Sequence, residues 1–422
     1  MLKQNVHPLF LGLLTLALFI SCDSDDNDGM TDPNTKISTA EFTVTLENVI
    51  EAKSYFDTGK TGLIMPGDSE SITFNAGKGH LLSFATMYVQ SNDLFYAPLE
   101  NGIPLYDEDG APLSGDITSS IYLWDAGTEV NEEPGVGENQ PPRQAAANTG
   151  MNENGMVALI GDIADGYTYP TVSEAIKVSL AHDGGTAFTL TIENLTNALA
   201  LGSPFAPGVW VLHSMDQVPL FTKGETASDG LENIAEDGNN EISYNELSPI
   251  SGFVSPFAPG AYSIGNNTIF VEGAEASAGL EALAEDGDSS SFTTSFNTPV
   301  GSSAAGVLLP GASYSFTFTA EEGDNLSFAT MLVQSNDWFI GGDAIELFNA
   351  SVPLSGDISS MLKLYDAGTE VDEYAGAGNY QAPRQSAANT GEAENGNIAE
   401  ETEIGDHVPT ISNLIKVTIS SK

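Results

Sequence analysis

Short runs in which apolar and polar side chains alternate recur along most of the chain. Phe42, Val44 and Leu46 alternate with threonines, and "SYSFTFT" (313–319) shows the same period of two. Successive side chains of a strand point to opposite faces of its sheet, so this period is typical of half-buried strands. The nearly continuous apolar run "LSFATMLVQ" (326–334) fits a strand buried on both faces. Because no regular alternation of strands with long helices occurs, the pattern predicts antiparallel β-sandwiches, an all-β fold.

Two segments show the spacing of a short helix instead. In "GLENIAEDG" (230–238) and "GLEALAEDG" (279–287), apolar residues recur three and four positions apart. Each segment begins after small or polar residues and ends at a glycine, which commonly terminates a helix. The fold class is therefore all-β with a few short helices.

The same series of phrases occurs twice in one chain, which predicts a duplicated domain. A truncated sandwich is predicted over 41–180 and a full sandwich over 185–420. The insertion at 203–288 in the second copy holds its own duplication of "SPFAPG" followed by "GLExxAEDG". The first copy lacks this lobe, and one interpretation is that it leans its open edge on the insertion. The matching pairs are 42–49 with 188–195, 66–76 with 310–320, 82–95 with 326–339, 112–119 with 353–360, 123–130 with 364–371, 142–150 with 383–391, and 169–178 with 408–417.

The N-terminal 40 residues fall outside the strand pattern. The apolar run at 9–20 is too short to span a bilayer as a helix, and it precedes Cys22, the only cysteine. This arrangement predicts a lipoprotein signal peptide over 1–21 with lipid attachment at Cys22; an ordinary secretory signal is the alternative. Residues 22–40 are acidic and predict a disordered tether. The acidic run resembles the surface-export signal of some bacterial lipoproteins. We therefore expect an outer-membrane lipoprotein that is surface-exposed, or otherwise faces the periplasm.

The charge of the chain narrows its partners. With 59 acidic and 12 basic side chains, the formal net charge is -47. Such a surface repels nucleic acid and anionic lipid and attracts divalent cations. We expect no nucleic-acid partner and no membrane contact beyond the lipid on Cys22. Solubility in a salty external medium is the alternative explanation of the charge.

The sequence gives little support for an enzyme. It holds no zinc-protease, nucleophile-elbow, phosphate-loop or dinucleotide motif, and none of its five histidines is shared between the copies. Paired carboxylates on loops are used by glycan hydrolases, and this remains an alternative. We expect a protein without enzymatic activity.

The phrases "LSFATMLVQSNDWF", "LYDAGTEV" and "APRQ", preceded by "GLEALAEDG", resemble the spondin N-terminal domain family. The resemblance covers nearly all of 187–419 and, without the "GLExxAEDG" lobe, also 41–180. It implies tandem C2-like antiparallel β-sandwiches and a calcium site built from the acid of "SxDWF" and the two acids of "DAGTD". Carried onto this chain, the implied Ca²⁺ ligands are Asp337, Asp366 and Glu370, and in the first copy Asp93, Asp125 and Glu129.

The residues themselves fit a calcium site, because Ca²⁺ prefers six to eight hard oxygen ligands. The pattern departs from the family at its last position, where Glu replaces Asp. Capping of turns is the alternative role for these carboxylates, since Asp often precedes Gly in turns. Trp338 beside Asp337 is a candidate ligand contact, with core packing as the alternative, and the first copy has Leu94 there.

Arg143 and Arg384 are the only arginines, and they occupy the same place in "PRQAAANTG" and "PRQSAANTG". We expect each to pin its loop onto its domain through carboxylate or carbonyl contacts near the acidic loop. A role in holding an anionic sugar or a peptide carboxylate is the alternative.

Together these features predict a surface-anchored, calcium-binding adhesion or ligand-binding module of the spondin type. Its partner would be an extracellular glycan or protein. A structural spacer lipoprotein without a ligand of its own is the alternative function.

Overall fold

The computed structural model describes residues 37–422, so the predicted signal peptide, the lipid attachment at Cys22 and most of the predicted tether lie outside the described residues. No helix of the described part is long and apolar enough to cross a bilayer. The strands are β1 (Thr39–Asn48), β2 (Asp57–Lys60), β3 (Ser69–Asn75), β4 (Leu81–Met87), β5 (Leu94–Pro98), β6 (Ile103–Pro104), β7 (Gly115–Asp116), β8 (Ile121–Asp125), β9 (Ala158–Leu159), β10 (Ile176–Gly184), β11 (Ala187–Asn194), β12 (Val209–His213), β13 (Gly260–Gly265), β14 (Ser295–Phe296), β15 (Ser313–Glu321), β16 (Asn325–Met331), β17 (Trp338–Glu346), β18 (Phe348–Asn349), β19 (Val352–Pro353), β20 (Gly356–Asp357), β21 (Lys363–Asp366), β22 (Ala399–Glu400) and β23 (Ile415–Ser421).

Helices are few and short, as the sequence predicts. The α-helices are α1 (Val172–Ala175), α2 (Asp229–Asp237), α3 (Glu241–Leu247), α4 (Ala278–Asp286) and α5 (Ile411–Leu414). Single 3₁₀ turns lie at Thr118–Ser120, Ile160–Asp162, Thr196–Ala198, Ser248–Ile250 and Ser359–Met361.

The strands form two antiparallel sandwiches with the same strand order. One sandwich pairs the sheet β3-β11-β10-β7 with the sheet β2-β12-β4-β5-β8-β9, in which β6 also pairs with β4. The other pairs β15-β1-β23-β20 with β14-β13-β16-β17-β21-β22. We call the first the inserted sandwich, because its strands β2–β12 lie in the chain between β1 and β13. The second, which contains β1 and β13–β23, is the host sandwich.

This assignment of strands differs from the predicted domains 41–180 and 185–420. Strand β1 pairs with β15 and β23 of the host sandwich, and β11 pairs with β3 and β10 of the inserted sandwich. The two "SPFAPG" lobes are also divided, since β12 pairs with β4 and β13 pairs with β16. The first copy is therefore a complete, rearranged sandwich rather than a truncated one.

The physical reason for this exchange is the tight hairpin between β10 and β11. Gly184 and Gly185 have positive φ angles of 110° and 56°, conformations that glycine adopts without steric penalty. The hairpin joins neighbouring strands at little loop-closure entropy, so β11 completes the sandwich it follows in sequence.

Strand β1 then fills the vacant place in the host sandwich. Its apolar side chains Phe42, Val44 and Leu46 are fully buried, which confirms the predicted period of two. They lie in the same core as Tyr314 and Val417 of the two neighbouring strands.

The two predicted helices form as expected. The hydroxyls of Ser228 and Ser277 cap α2 and α4 by accepting hydrogen bonds from Leu231 N and Leu280 N, at 3.2 Å in both cases. Each helix ends at a glycine in the left-handed conformation. Helix α2 packs on β4 and β5, and α4 packs on β16 and β17, so each sandwich has one helix at the equivalent place.

Candidate functional site

The predicted calcium residues of the host sandwich meet at one end of a sheet. Asp337 immediately precedes β17 and Asp366 ends β21, and the pairing of Trp338 with Asp366 brings these positions together. Strand β22 pairs with the other side of β21, with Glu400 opposite Tyr365. Glu401, the next residue, thereby joins the same end of the sheet.

Asp337 is fully buried, and only half of its carboxylate is engaged. Its Oδ2 accepts hydrogen bonds from Thr369 N at 2.7 Å, Thr369 Oγ1 at 3.0 Å and Glu370 N at 3.1 Å. Its Oδ1 has no hydrogen-bond partner among the described residues. Because a buried carboxylate oxygen without a partner is unfavourable, this atom is a candidate to contact a bound cation.

Three further carboxylates gather beside it. Oxygen atoms of Asp366, Asp372 and Glu401 lie within 4.8 Å of one another. We call these three residues and Asp337 the acid cluster. Sequence reasoning identified Asp337 and Asp366 but missed Asp372 and Glu401, which lie outside the family motif.

The acid cluster carries concentrated negative charge. Burial and the neighbouring charge of Asp366 raise the pKa of Asp337 to about 7. Desolvation and the charges of Asp337, Asp366 and Glu401 raise the pKa of Asp372 to about 8, although the outer side of this residue is exposed. The pKa of Glu401 is also raised, by burial and then by Asp366. A divalent cation would offset this repulsion, and hard oxygens are the ligands that Ca²⁺ prefers.

Glu370 has a different place from the one that the resemblance implies. Its Oε1 accepts a hydrogen bond from Gly391 N at 2.8 Å, and its Oε2 accepts one from Asn336 Nδ2 at 3.4 Å. A Cβ on Gly391 would lie 2.3 Å from Glu370 Cδ, so a larger residue there would displace this carboxylate. The carboxylate holds the "NTG" turn. Like Asp337 it lies outside the group formed by Asp366, Asp372 and Glu401, but unlike Asp337 it has a hydrogen-bond partner for each of its oxygens. In the inserted sandwich Glu129 makes the equivalent contact with Gly150 N, at 2.6 Å.

The inserted sandwich repeats half of the acid cluster. Asp93 Oδ2 accepts hydrogen bonds from Thr128 and Glu129, and its Oδ1 has no partner among the described residues. Burial and the charge of Asp125 raise the pKa of Asp93 well above its ordinary value, and burial raises that of Asp125 to about 6.

The other two positions carry no charge in the inserted sandwich. Asn131 stands where the host has Asp372, and its amide donates a hydrogen bond to Asp125 Oδ2 at 2.5 Å. Ile160 follows β9 at the place that Glu401 has after β22. The two sites therefore differ by two carboxylates.

Trp338 is not the exposed aromatic that the sequence analysis considered. Its side chain is only 4% exposed and packs in the host core. Its edge borders a surface cavity of about 430 Å³, which Asp372 also lines. Phe339, next in the chain, is fully buried.

The arginine phrases form straps across each sandwich. We use "strap" for residues 142–150 and 383–391. Arg143 donates to Gly137 O, Gln90 Oε1 and Gln140 Oε1 at 2.7–2.9 Å. Arg384 donates to Gln334 Oε1 at 2.8 Å, to Gln381 Oε1 at 3.4 Å and to Gly376 O. The partners are neutral oxygens near the acidic loop, and neither arginine forms an ion pair among the described residues.

The remaining polar residues of the straps bind the helices. In the host sandwich Gln385 Nε2 donates to Asp286 Oδ1 at 2.8 Å, and Asn389 Nδ2 donates to Glu281 Oε1 at 3.0 Å. The inserted sandwich repeats both contacts, with Gln144 to Asp237 and Asn148 to Glu232. This shared role explains why the phrase occurs in both copies.

The fold and the acid cluster define a class of protein, a pair of antiparallel β-sandwiches with clustered carboxylates at one sheet end. Residues 260–395 match the family model described as Spondin_N, which agrees with the family that the repeated phrases resemble. The match runs from β13 to beyond the host strap and includes Asp337, Asp366 and Asp372. A search of curated proteins found no match.

Proposed function

We propose that the chain is a non-enzymatic, calcium-binding module of the spondin type that recognises an extracellular glycan or protein. In this proposal a lipid on Cys22 anchors the chain to a bacterial outer membrane. The observation that carries the cation site is the buried Oδ1 of Asp337, which lacks a partner beside three gathered carboxylates.

The ligands we propose for Ca²⁺ are Asp337, Asp366, Asp372 and Glu401. Four carboxylates supply the hard anionic oxygens that Ca²⁺ takes, and water would complete the six to eight positions. Mg²⁺ fits less well, because it demands near-ideal octahedral geometry and gives up its water reluctantly. The ion would neutralise the repulsion that raises the pKa values of Asp337 and Asp372.

We further propose that the host sandwich holds the single strong site of the chain. In the inserted sandwich a hydrogen-bond donor from Asn131 faces Asp125, and Ile160 brings no side-chain oxygen. Two fewer carboxylates weaken calcium affinity, because affinity rises with the charge of the ligands.

Calcium titration followed by thermal melting tests this function. We expect Ca²⁺ to raise the melting temperature, because a ligand that binds only the folded state stabilises it by about 2.7 kcal/mol at a concentration of 100 Kd. Calorimetric titration should give one strong site per chain. A melting temperature that does not respond to millimolar Ca²⁺ would rule out the site.

A matched pair of variants locates the ion. Asp372→Asn removes an exposed carboxylate of the acid cluster and should lower calcium affinity by tenfold or more, an estimate of about 1.4 kcal/mol for one lost charged ligand. Asn131→Ala changes the equivalent position in the inserted sandwich and should leave the affinity unchanged. If both variants bind Ca²⁺ like the original chain, the ion lies elsewhere.

A further inference from the structure

A cavity of about 260 Å³ lies at the contact between the two sandwiches. We call it the seam cavity. Lys53 and Phe56 of the connecting segment border it, as do His80 of the inserted sandwich and Gln334 and Arg384 of the host sandwich. Beside the cavity, the two sandwiches pack closely at Gly77, and the connecting segment packs closely at Gly376. A Cβ on Gly77 would lie 2.0 Å from Ala377 O, and one on Gly376 would lie 2.6 Å from the Phe56 ring.

The charge of the seam cavity is opposite to that of the chain. Its lining includes Lys53 and Arg384 and no Asp or Glu side chain, in a protein with a net charge of -47. Lys53 Nζ forms an ion pair with the exposed Glu51 at 2.6 Å, whereas Arg384 feels the charge of Glu373 but forms no ion pair among the described residues.

The hydrogen bonds of Arg384 leave two of its N–H donors available to an anion. Its three hydrogen bonds engage both Nη1–H groups and one Nη2–H, which leaves Nε–H and one Nη2–H without partners in the described part of the chain. Burial lowers its pKa to about 10, which shows the desolvation that its charge suffers between the sandwiches. An arginine keeps its charge in proteins, and the nearby charge of Glu373 offsets this desolvation only in part, because the pKa stays below its ordinary value.

The equivalent residue of the other copy provides a natural comparison. Arg143 is exposed, its Nε–H is bonded to Gly137 O, and water can solvate its remaining N–H groups. Both arginines hold their straps, so strap binding alone does not explain why Arg384 lies in a cavity. The difference arises because Arg384 lies against the inserted sandwich, where a Cβ on Gly77 would be 2.8 Å from its Nε, whereas Arg143 is exposed.

The other lining groups suit a hydroxyl-rich ligand. Gln217 and Gln334 offer amide groups that both donate and accept hydrogen bonds. His80 is held neutral, since burial, then Arg384 and His213, lower its pKa to about 3. Tyr55 and Phe56 supply aromatic surface in the same lining.

We propose that the seam cavity binds a uronic acid unit of a glycan, with the sugar carboxylate on the Arg384 guanidinium. A guanidinium pairs with a carboxylate through two parallel N–H···O bonds, and the amides would meet the sugar hydroxyls. This inference deepens the proposed function, because it names the class of glycan that the module recognises. It does not depend on the calcium site, since the residues of the acid cluster do not line the cavity.

The test compares two sugars that differ only in the charged group. Ligand-observed NMR titrations of the full chain use methyl β-D-glucuronide and methyl β-D-glucoside, each with and without a calcium chelator. We expect the glucuronide to bind at least about tenfold more tightly than the glucoside, as a lost charge-assisted pair would give. Binding should persist in chelator, so a failure of the calcium proposal and a failure of this one give different results.

Variants assign the binding to the cavity. Arg384→Met should abolish the preference for glucuronide, whereas Arg143→Met should keep it. If Arg384→Met melts at a lower temperature, Lys53→Met serves as the second variant and should weaken glucuronide binding several-fold. Equal binding of the two sugars would overturn the proposal. So would unchanged binding in Arg384→Met, or tighter Arg384-dependent binding of a peptide with a free C-terminus.

Discussion

Replacing Asp337 with Asn is expected to stabilise the chain when no cation is present. In the folded chain the pKa of Asp337 is raised from 3.8 to about 7, by burial and then by Asp366. The folded state therefore holds the proton more tightly than the unfolded state does. Stability contributed by the protonated acid is present at low pH and is lost as the pH rises from about 4 to about 7.

The size of the effect follows from the same two values. The pKa of Asp337 in the folded chain is roughly three pH units above its ordinary value, and each unit corresponds to about 1.4 kcal/mol. Ionised Asp337 therefore destabilises the cation-free fold by about 4 kcal/mol at pH 8. This is a large part of the 5–15 kcal/mol that typically stabilises a folded domain. Asn carries no charge and can still accept hydrogen bonds from Thr369 and Glu370 through its oxygen.

Urea unfolding followed by circular dichroism measures the free energy of unfolding at pH 5 and pH 8, with chelator and with calcium. In chelator we expect Asp337→Asn to exceed the original chain in stability at pH 8 and to match it more closely at pH 5. In calcium the order should reverse, because the original chain gains the binding free energy of the ion and the variant loses a ligand.

The matched control is Asp93→Asn in the inserted sandwich. It should also stabilise the chain at pH 8, since burial and Asp125 raise the pKa of Asp93. Calcium should not reverse this gain, because the inserted sandwich lacks two of the carboxylates. A variant Asp337→Asn that is less stable than the original chain in chelator at pH 8 would refute the reasoning.

Other substitutions test the arrangement of the two copies. Asn131→Asp combined with Ile160→Glu restores the missing carboxylates of the inserted sandwich and should raise the calcium stoichiometry from one to two by calorimetric titration. Phe42→Ala and Phe188→Ala each remove a fully buried ring and should lower the free energy of unfolding by about 3–5 kcal/mol. Phe42→Ala should speed hydrogen exchange in the host sandwich, and Phe188→Ala should speed it in the inserted sandwich. Gly391→Ala places a Cβ 2.3 Å from Cδ of the buried Glu370, so proteolysis within the host strap (383–391) should accelerate. The matched change Gly150→Ala crowds Glu129 in the same way and should accelerate proteolysis only within the inserted strap (142–150).

The strands and helices could be predicted from local sequence because local physics determines them. Alternating residues bury one face of β1, and a serine cap with a terminal glycine delimits α4. The pairing of β1 and β11 could not be predicted in the same way. "FTVTLENV" and "FTLTIENL" have the same apolar pattern, so either strand fits either sandwich. The choice depends on the connection, and the glycine pair after "AHD" is the signal that identifies the hairpin.

The candidate site could be predicted only where a motif marks it. Asp337 and Asp366 lie in repeated phrases, whereas Glu401 reaches them through the pairing of β21 with β22, far along the chain. Glu370 also lies in a repeated phrase, but its carboxylate accepts a hydrogen bond from Gly391 N and so has a structural role. A repeated acidic residue is therefore not always a ligand. Comparison of the copies gives a further signal. A position that is acidic in one copy and neutral in the other, as at Asp372 and Asn131, indicates where the two sites diverge.

The insertion of one sandwich into the other also explains why identical phrases acquire different environments. The connecting segments are hydrogen-bonded to each other, with Ser54 N donating to Ile250 O at 2.8 Å and Gly252 N to Tyr55 O at 3.0 Å. The two sandwiches are therefore tied at two points of the chain, which limits their relative motion more than a single linker would. The host strap faces the inserted sandwich across this tie, whereas Arg143 in the inserted strap is exposed. A cavity at such a contact keeps its shape only while both sandwiches are folded. Ligand binding at Arg384 should consequently weaken when either Phe42 or Phe188 is truncated, even though neither side chain lines the cavity.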